Sequence, residues 1–329
     1  MLGLPRVRWQ RKGDYSMKLF KSDRILAVSK ISVILATFNE EKNIEACLKT
    51  VKGWVDEIVV VDGTSSDKTV ALAKKYTKRV FVRDNPVMFH KNKQFAIEKA
   101  TGEWILYLDA DERVEAALKQ EILKVVNNDK FNGYFIPRKN IIFGKWIKND
   151  LWHPDYNLRL FKRSKGRLPC KSVHEQPQVE GAVGHLENYL LHYNYQTISQ
   201  YVNKINNLYS ENDRDLLLSE NKKVCWPDAI RMPISEFLSV FFARKAYKDG
   251  LHGLVLSLLQ AFSALVTFAK LWETRGFEEE MPVKFLDKVK REAKKSQKQF
   301  FYWLANEKIK SSNNLIKTGF YRIVRKFNS

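Results

Sequence analysis

Three carboxylates, Asp109, Asp111 and Glu112, follow directly on the apolar run Trp104-Ile105-Leu106-Tyr107-Leu108 in the stretch GEWILYLDADER, residues 102–113. The run has the length and β-prone composition of a strand buried on both faces. Ionised carboxylates are costly to bury, so the chain must leave the core where they begin. Asp109 and Asp111, two positions apart, can point from a strand end toward one spot in a cleft. Hard oxygen ligands of this kind suit Mg²⁺ or Mn²⁺, which in turn suit a diphosphate. The alternative is a solvated acidic turn, and a D-x-D pair by itself does not separate the two.

The elements that must position these residues repeat the pattern. Residues 31–36 are an apolar run that ends in Thr37, Asn39 and Glu40, and residues 58–61 are another that ends in Asp62. Between them Ile44, Cys47, Leu48 and Val51 recur at the spacing of one helix face. Asn39 or Asn43 can cap that helix and Gly53 stops it. A second helix toward 73–76, a short strand at 79–82 and a third helix at 91–100 lead to the run before Asp109. This alternation predicts a parallel sheet with helices on both faces. Ligands of such sheets gather at the carboxyl ends of the strands, so three polar strand ends in register point to a nucleotide site. Neither G-x-G-x-x-G nor a P-loop lysine motif is present, which argues against a dinucleotide dehydrogenase or an NTPase.

The segments ISVILATFNEEKNI, DEIVVVDGTSSDKT and ATGEWILYLDADE resemble the N-terminal half of family-2 glycosyltransferases. NLRLFKR, SVHE, the run 186–193 and DGLHGLVLSLLQAFSALVTFAKLWE resemble the subgroup typified by lipopolysaccharide-core β-1,4-glucosyltransferases. The likeness spans residues 30 to 275 or so, leaving out the leader and the basic tail. It implies an α/β fold of the GT-A type, Rossmann-like with a mostly parallel central sheet. By the same resemblance Thr37, Asn39, Glu40 and Asp62 hold the base and ribose of a nucleotide-sugar. Asp109 then contacts ribose or metal, and Asp111 ligates the metal, Mg²⁺ or Mn²⁺. Lys93 stands where relatives often carry an arginine near the nucleotide; read alone, it is a surface cation. Asn39 and Asp67 read alone are helix caps, and Asp62 alone starts a turn.

From Gly133 the pattern changes to strands and loops, at 134–136, 141–144 and 157–161. Trp146 and Trp152 flank polar Lys148, Asn149 and Asp150. Such a mixture suits an acceptor sugar, whose C–H faces stack while its hydroxyls hydrogen-bond; the other reading is two core tryptophans. Many family-2 relatives carry their acceptor base in an acidic E-D pair at this stage of the chain. None occurs here. His174-Glu175 is the best substitute, with Glu175 as base and His174 contacting sugar, and Asp155 is the runner-up. His192 ends the run Tyr189-Leu190-Leu191 and would complete the metal site, as a histidine does in some GT-A enzymes; a lone histidine can equally be structural.

The formal charge of +20 calls for polyanionic neighbours, and half of it lies in residues 283–329, with thirteen Lys/Arg against three Asp/Glu. Charge concentrated in a tail fits adhesion to a surface better than an active-site requirement. Residues 250–269 carry no charge except His252, and Ser257, Gln260, Ser263 and Thr267 give them a mild polar stripe. The expectation is a helical hairpin lying in the membrane interface, ahead of a true span and of a buried core helix. Residues 1–29 read as a mobile basic leader without an apolar segment of signal-peptide length, so the chain is expected not to be secreted. The three cysteines lack metal or disulfide spacing, and Cys47 falls on an apolar helix face.

The predicted organisation is a leader (1–29), a GT-A unit (30–225), a membrane-interface helical hairpin (226–282) and a basic tail (283–329). The expected function is metal-assisted inverting transfer of a hexose from a nucleotide-diphosphate sugar to a hydroxyl of a lipid-linked or lipopolysaccharide-core glycan. It would take place on the anionic cytoplasmic face of the cell membrane, with no nucleic-acid partner. A polyprenyl-phosphate sugar synthase is the alternative enzyme. A non-catalytic basic protein binding membrane or nucleic acid is a third reading, which leaves the acidic strand ends unexplained.

Overall fold

The computed structural model describes residues 29–86, 90–128, 130–170, 176–279 and 281–328. The apolar runs form β1 (Ile31–Thr37), β2 (Glu57–Asp62), β3 (Val80–Val82) and β4 (Trp104–Leu108), joined by α1 (Ile44–Val51), α2 (Thr69–Ala73) and α3 (His90–Lys99). These four strands are mutually parallel in the order β3-β2-β1-β4. Strand alternation sorts their side chains onto two faces. Val33, Leu35, Val60, Leu106 and Leu108 pack against Ile44, Leu48 and Val51 of α1. Ile34, Val59, Val61 and Ile105 pack against Ala96 and Ile97 of α3. Cys47 is buried on α1, as its helical position predicts.

Beyond Asp109 come β5 (Glu112–Val114), α4 (Ala116–Val125), β6 (Gly133–Ile142), β7 (Lys145–Trp146) and β8 (Asp155–Lys162). They are followed by β9 (Gly166–Arg167), β10 (Gln178–Val179), β11 (Val183–His185) and β12 (Leu190–Tyr195). The sheet continues β4-β8-β6-β12-β5, with β8 antiparallel to both neighbours and β12 parallel to β6. Four strand spacings therefore separate β4 from β5, about 19 Å if the sheet were flat. The four residue steps from Leu108 to Glu112 reach at most about 14 Å. The sheet must curl back toward itself, and Asp109 and Asp111 lie on the short link across that closure.

The two strands expected at 134–136 and 141–144 are one, β6, which runs through Pro137-Arg138-Lys139-Asn140. Those residues read as a loop because of the proline and the three polar side chains, but within the strand Arg138 pairs with Asp155 and Asn140 with His192. Phe143 and Gly144, at φ of 50° and 80°, turn the chain into β7.

The C-terminal third is helical: α5 (Ile198–Lys204) continuing through a π-turn, α6 (Ser210–Ser219), α7 (Asp228–Leu238), α8 (Leu251–Thr274), α9 (Phe285–Ser311) and α10 (Leu315–Phe327). The expected basic tail is thus two helices. α8 is long and apolar enough to cross a membrane. Its polar stripe points inward: Ser257, Ser263 and Thr267 are buried, while Leu251, Leu258, Phe262, Leu265 and Trp272 are exposed. Leu256 of α8 shares a hydrophobic cluster with Ile142, Ile147 and Tyr195 of the sheet region.

Candidate active site

Asp109 leaves β4 into a cage of charge. Its Oδ1 accepts from Lys93 Nζ at 2.9 Å and its Oδ2 from Arg159 Nη2 at 2.6 Å. The same Arg159 nitrogen reaches Glu112 Oε1 at 2.6 Å, and Glu112 Oε2 accepts from the Asp109 backbone N–H at 2.9 Å. Burial by itself would raise the Asp109 pKa, but Arg159 and Lys93 hold its carboxyl well below the usual carboxylate range. Lys93 is no surface cation. It is buried, it donates to the Tyr107 hydroxyl as well, and its ammonium pKa is held up by Asp109 against the effect of burial.

Asp111 is placed differently. Its Oδ2 lies 3.4 Å from His192 Nε2. Its Oδ1 is buried and has no hydrogen-bond partner. Burial pushes the carboxyl pKa up, but His192 outweighs it and holds the group below the ordinary value. His192 sits on β12 opposite Asn140 of β6 in register, and His192 Nδ1 lies 2.6 Å from Asn140 Oδ1. The Asn140 amide is oriented by its nitrogen, which donates to Trp152 O and Asp155 Oδ2. Nδ1 therefore carries a proton; Nε2 faces Asp111, as a donor to the carboxylate in the imidazolium and as a free lone pair once that proton is lost.

This arrangement fits a divalent cation held partly by the protein. Asp111 keeps one oxygen, Oδ1, without a partner while its other, Oδ2, lies beside the imidazole nitrogen, and such ions commonly complete their shell with substrate phosphate and water. The nitrogen ligand suits Mn²⁺ better than Mg²⁺. Asp109 offers no comparable free oxygen. Among the described residues no three His, Cys, Asp or Glu side chains converge on one metal position.

A cleft of about 410 Å³ opens over Asp111, lined by Asn39, Glu40, Asp67, Gln200 and Lys204 among others. Burial, with Asp111 and Asp109 nearby, pushes the Glu40 carboxyl up to about 6. Asn39 does not cap α1: it adopts φ of 54°, and its Oδ1 accepts from Ser66 N at 2.9 Å, tying the loop after β1 to the loop after β2. Asn43 occupies the cap position, but its side chain bonds Glu40 instead of the helix. Asp67 does act locally, its carboxylate accepting from Thr69 N at 2.9 Å. Thr37 and Asp62 face each other in register at the ends of β1 and β2. The Asp62 carboxylate accepts from Thr37 Oγ1, Ser65 N and Ser65 Oγ.

Asp155 accepts from Arg138 Nε at 2.8 Å, Asn140 Nδ2 at 2.9 Å and Asn157 Nδ2 at 2.8 Å. Burial opposes ionisation there, but Arg138 and Asn140 hold the pKa below the ordinary value. Trp152 packs in the cluster of Ile142, Ile147 and Tyr195. Trp146 pairs with Ile141, so alternation sets it on the face opposite Asn140 and His192, away from the carboxylates. His174 and Glu175 lie outside the described residues.

Residues 32–179 match the protein family Glycosyl transferase family 2. A glycosyltransferase of Rickettsia typhi, RT0209, is 32% identical over 260 residues, covering 75% of this chain and 88% of that protein. The chain belongs to glycosyl transferase family 2. The lipopolysaccharide core biosynthesis glycosyltransferase LpsC of Rhizobium meliloti is 28% identical over 255 residues, 75% of this chain and 94% of LpsC. Among solved structures, S. aureus TarS residues 1–349 shows a distant likeness, with a TM-score of 0.40 and 16% identity over 73% of this chain and 91% of that one.

In this glycosyltransferase the residues that sequence reasoning passed over are Arg159, Asn140, Arg138 and Lys204; Glu112 was singled out as a carboxylate but given no role. Arg159 and Asn140 each interrupt an apolar or β-prone stretch with a polar group at an inward position, and that was the available signal. Lys204 belongs to a surface helix, and nothing local distinguishes it from other lysines.

Proposed function

We propose that this glycosyltransferase is a metal-assisted inverting enzyme. It would move a hexose from a nucleotide-diphosphate sugar to a hydroxyl of a lipid-linked or lipopolysaccharide-core glycan. The observation that carries this reading is the buried, unpartnered Oδ1 of Asp111, whose Oδ2 lies 3.4 Å from His192 Nε2, just past the carboxyl end of a parallel strand. Asp111 and His192 would hold the cation, which when bound supplies Lewis-acid stabilisation of charge on the departing diphosphate.

The other residues do the binding and orienting. Thr37, Asn39, Glu40 and Asp62 hold the nucleotide at the ends of β1 and β2. Asp109, fixed by Lys93 and Arg159, presents a pre-oriented carboxylate to the ribose. Lys204, in the cleft over Asp111, adds positive charge on the side where the diphosphate departs. Glu175 takes the proton of the acceptor hydroxyl as that oxygen attacks the anomeric carbon from the opposite face. The transition state then resembles an oxocarbenium ion, and no covalent enzyme intermediate forms. Asp155, engaged by three donors, is the poorer base and serves to orient Arg138 and Asn140. His174 flanks the acceptor.

The name of the Rhizobium relative supports a lipopolysaccharide-core acceptor, and with it a place at the cytoplasmic face of the cell membrane. The exposed apolar face of α8 supports a GT-A unit (30–225) followed by an interface-lying hairpin (226–282) and a basic segment (283–329). The test is to incubate the purified chain with a panel of nucleotide-sugars and a membrane lipid extract, following product mass with chelator and after adding Mn²⁺. A single donor giving a glycosylated lipid, lost with chelator and restored by Mn²⁺, is expected. Transfer that ignores the chelator would overturn the metal role, and a sugar-phosphate lipid product would replace the hydroxyl acceptor.

A further inference from the structure

Helix α10 turns its apolar side outward. Ile316, Phe320, Ile323 and Phe327 recur at intervals of four, three and four and so share one face. They are 85%, 61%, 57% and 76% exposed. The rest of the circumference carries Lys317, Arg322, Arg325 and Lys326, and no acidic residue follows Glu307. The helix is well defined at its start, where Asn314 Oδ1 accepts from Ile316 N at 2.9 Å and Lys317 N at 3.1 Å. It is held to α9 by its polar side, where Arg325 Nη1 donates to Asn306 Oδ1 at 3.3 Å. Among the described residues the apolar face is thus left uncovered.

The charge pattern selects among occupants. A second copy would bring two apolar strips together with cations on both flanks of each, and like charges would oppose the contact. An anionic bilayer offers the complement on both counts, acyl chains for the strip and phosphate headgroups for the flanking cations. We propose that α10 is an in-plane membrane anchor that seats Ile316, Phe320, Ile323 and Phe327 in an anionic bilayer. It rests on the reading that the enzyme works at a membrane surface, but not on the α7–α8 hairpin as the contact. It also changes what the basic C-terminal segment does: part of its binding is hydrophobic and survives salt.

The test uses the full chain and flotation with phosphatidylcholine vesicles, with and without phosphatidylglycerol, at low and high salt. Three double variants are compared with wild type: Phe320→Ser with Ile323→Ser on α10, Lys317→Gln with Arg322→Gln on α10, and Leu258→Ser with Phe262→Ser on α8. Nucleotide-sugar hydrolysis in the absence of lipid confirms that each variant is folded, since none of these residues is in the catalytic cleft. The first variant is expected to lose about tenfold or more in partitioning onto anionic vesicles at both salt levels. The second should lose affinity at low salt and converge on wild type at high salt. Wild-type flotation by the first variant overturns the anchor. If only the α8 variant fails to float, the hairpin reading stands and the anchor falls; if only the first variant fails, the anchor stands and the hairpin falls. A lipid-free wild type that sediments as a dimer, with the first variant a monomer, would assign the face to a second copy instead.

Discussion

Within the D-x-D pair the two carboxylates hold opposite positions. Asp109 has both oxygens engaged by Lys93 and Arg159, whereas Asp111 keeps one oxygen without a partner. Asp111→Asn retains shape but removes the charge that a divalent cation needs. It should lower transfer by about 100-fold or more while leaving the fold intact; more than about a tenth of wild-type activity in limiting metal would count against metal-assisted departure. Glu40 is costly in another way. Burial and the neighbouring Asp111 and Asp109 put its folded pKa at about 6, above the ordinary 4.5. A raised carboxyl pKa means that the ionised form destabilises the fold above pH 6, by on the order of 2 kcal/mol, and that the cost disappears below the unfolded value. Glu40→Gln should therefore raise the melting temperature at neutral pH, with the gain fading as pH falls from 6 toward 4.5, while nucleotide-sugar affinity drops. A gain that is flat with pH would mean that ionisation is not its source. For Glu175→Gln the expected loss of transfer is about 10²- to 10⁴-fold with donor affinity retained. Joint loss of donor affinity and melting temperature would make the residue structural.

At the scale of elements, the turn before α8 fastens the helical layer to the sheet. Asp249 is buried, and its carboxylate accepts from Lys148 N at 3.1 Å, Asn149 N at 3.0 Å and Asn149 Nδ2 at 3.0 Å. Lys145 Nζ adds a bond to the Asp249 carbonyl at 2.7 Å. Immediately after it, a Cβ on Gly253 would lie 1.7 Å from Ala246 O, so only glycine lets α8 begin this close to the turn. Replacing Asp249 by Ala would orphan the buried Asn149 backbone N–H and side-chain amide, and the half-buried Lys148 N–H. The expected cost is on the order of 3 kcal/mol, read as a fall in the denaturant midpoint. A midpoint unchanged from wild type would show that the two layers are held by packing alone.

The same contacts bear on the whole molecule. Ile142, Ile147 and Tyr195 from the sheet region share their hydrophobic cluster with Leu256, so the helical layer completes a core that the sheet does not close alone. A chain ending before Pro233 should expose that cluster and aggregate on expression, and a soluble truncated chain with a wild-type melting temperature would overturn this. Membrane binding is for that reason better probed by substitutions on exposed faces than by truncation. A larger cleft of about 650 Å³ lies between α6, α7 and α8, lined by Arg231, Glu236, Gln260, Ser263 and Thr267 among others. Its lining lacks the paired carboxylate and imidazole found at the strand ends.

Local periodicity sufficed for the first half of the fold. The spacing of Ile44, Cys47, Leu48 and Val51 marks a helix, and the apolar runs before Thr37, Asp62 and Asp109 mark strands, because both patterns repeat within a few residues. The polar strand ends were legible for the same reason, and with them the cleft. What periodicity does not encode is which distant segment lies alongside. Arg159 comes fifty residues after Asp109, and only the antiparallel insertion of β8 beside β4 brings it to that carboxylate. Likewise the His192 tautomer depends on β12 pairing with β6 at Asn140. The stripe of Ser257, Ser263 and Thr267 was visible as one side of a helix, and the sequence left open whether that side met water or protein. A period of 3.6 fixes that a helix has two faces. Which of them is buried depends on the neighbours that the fold supplies, and in α8 those neighbours take the polar side.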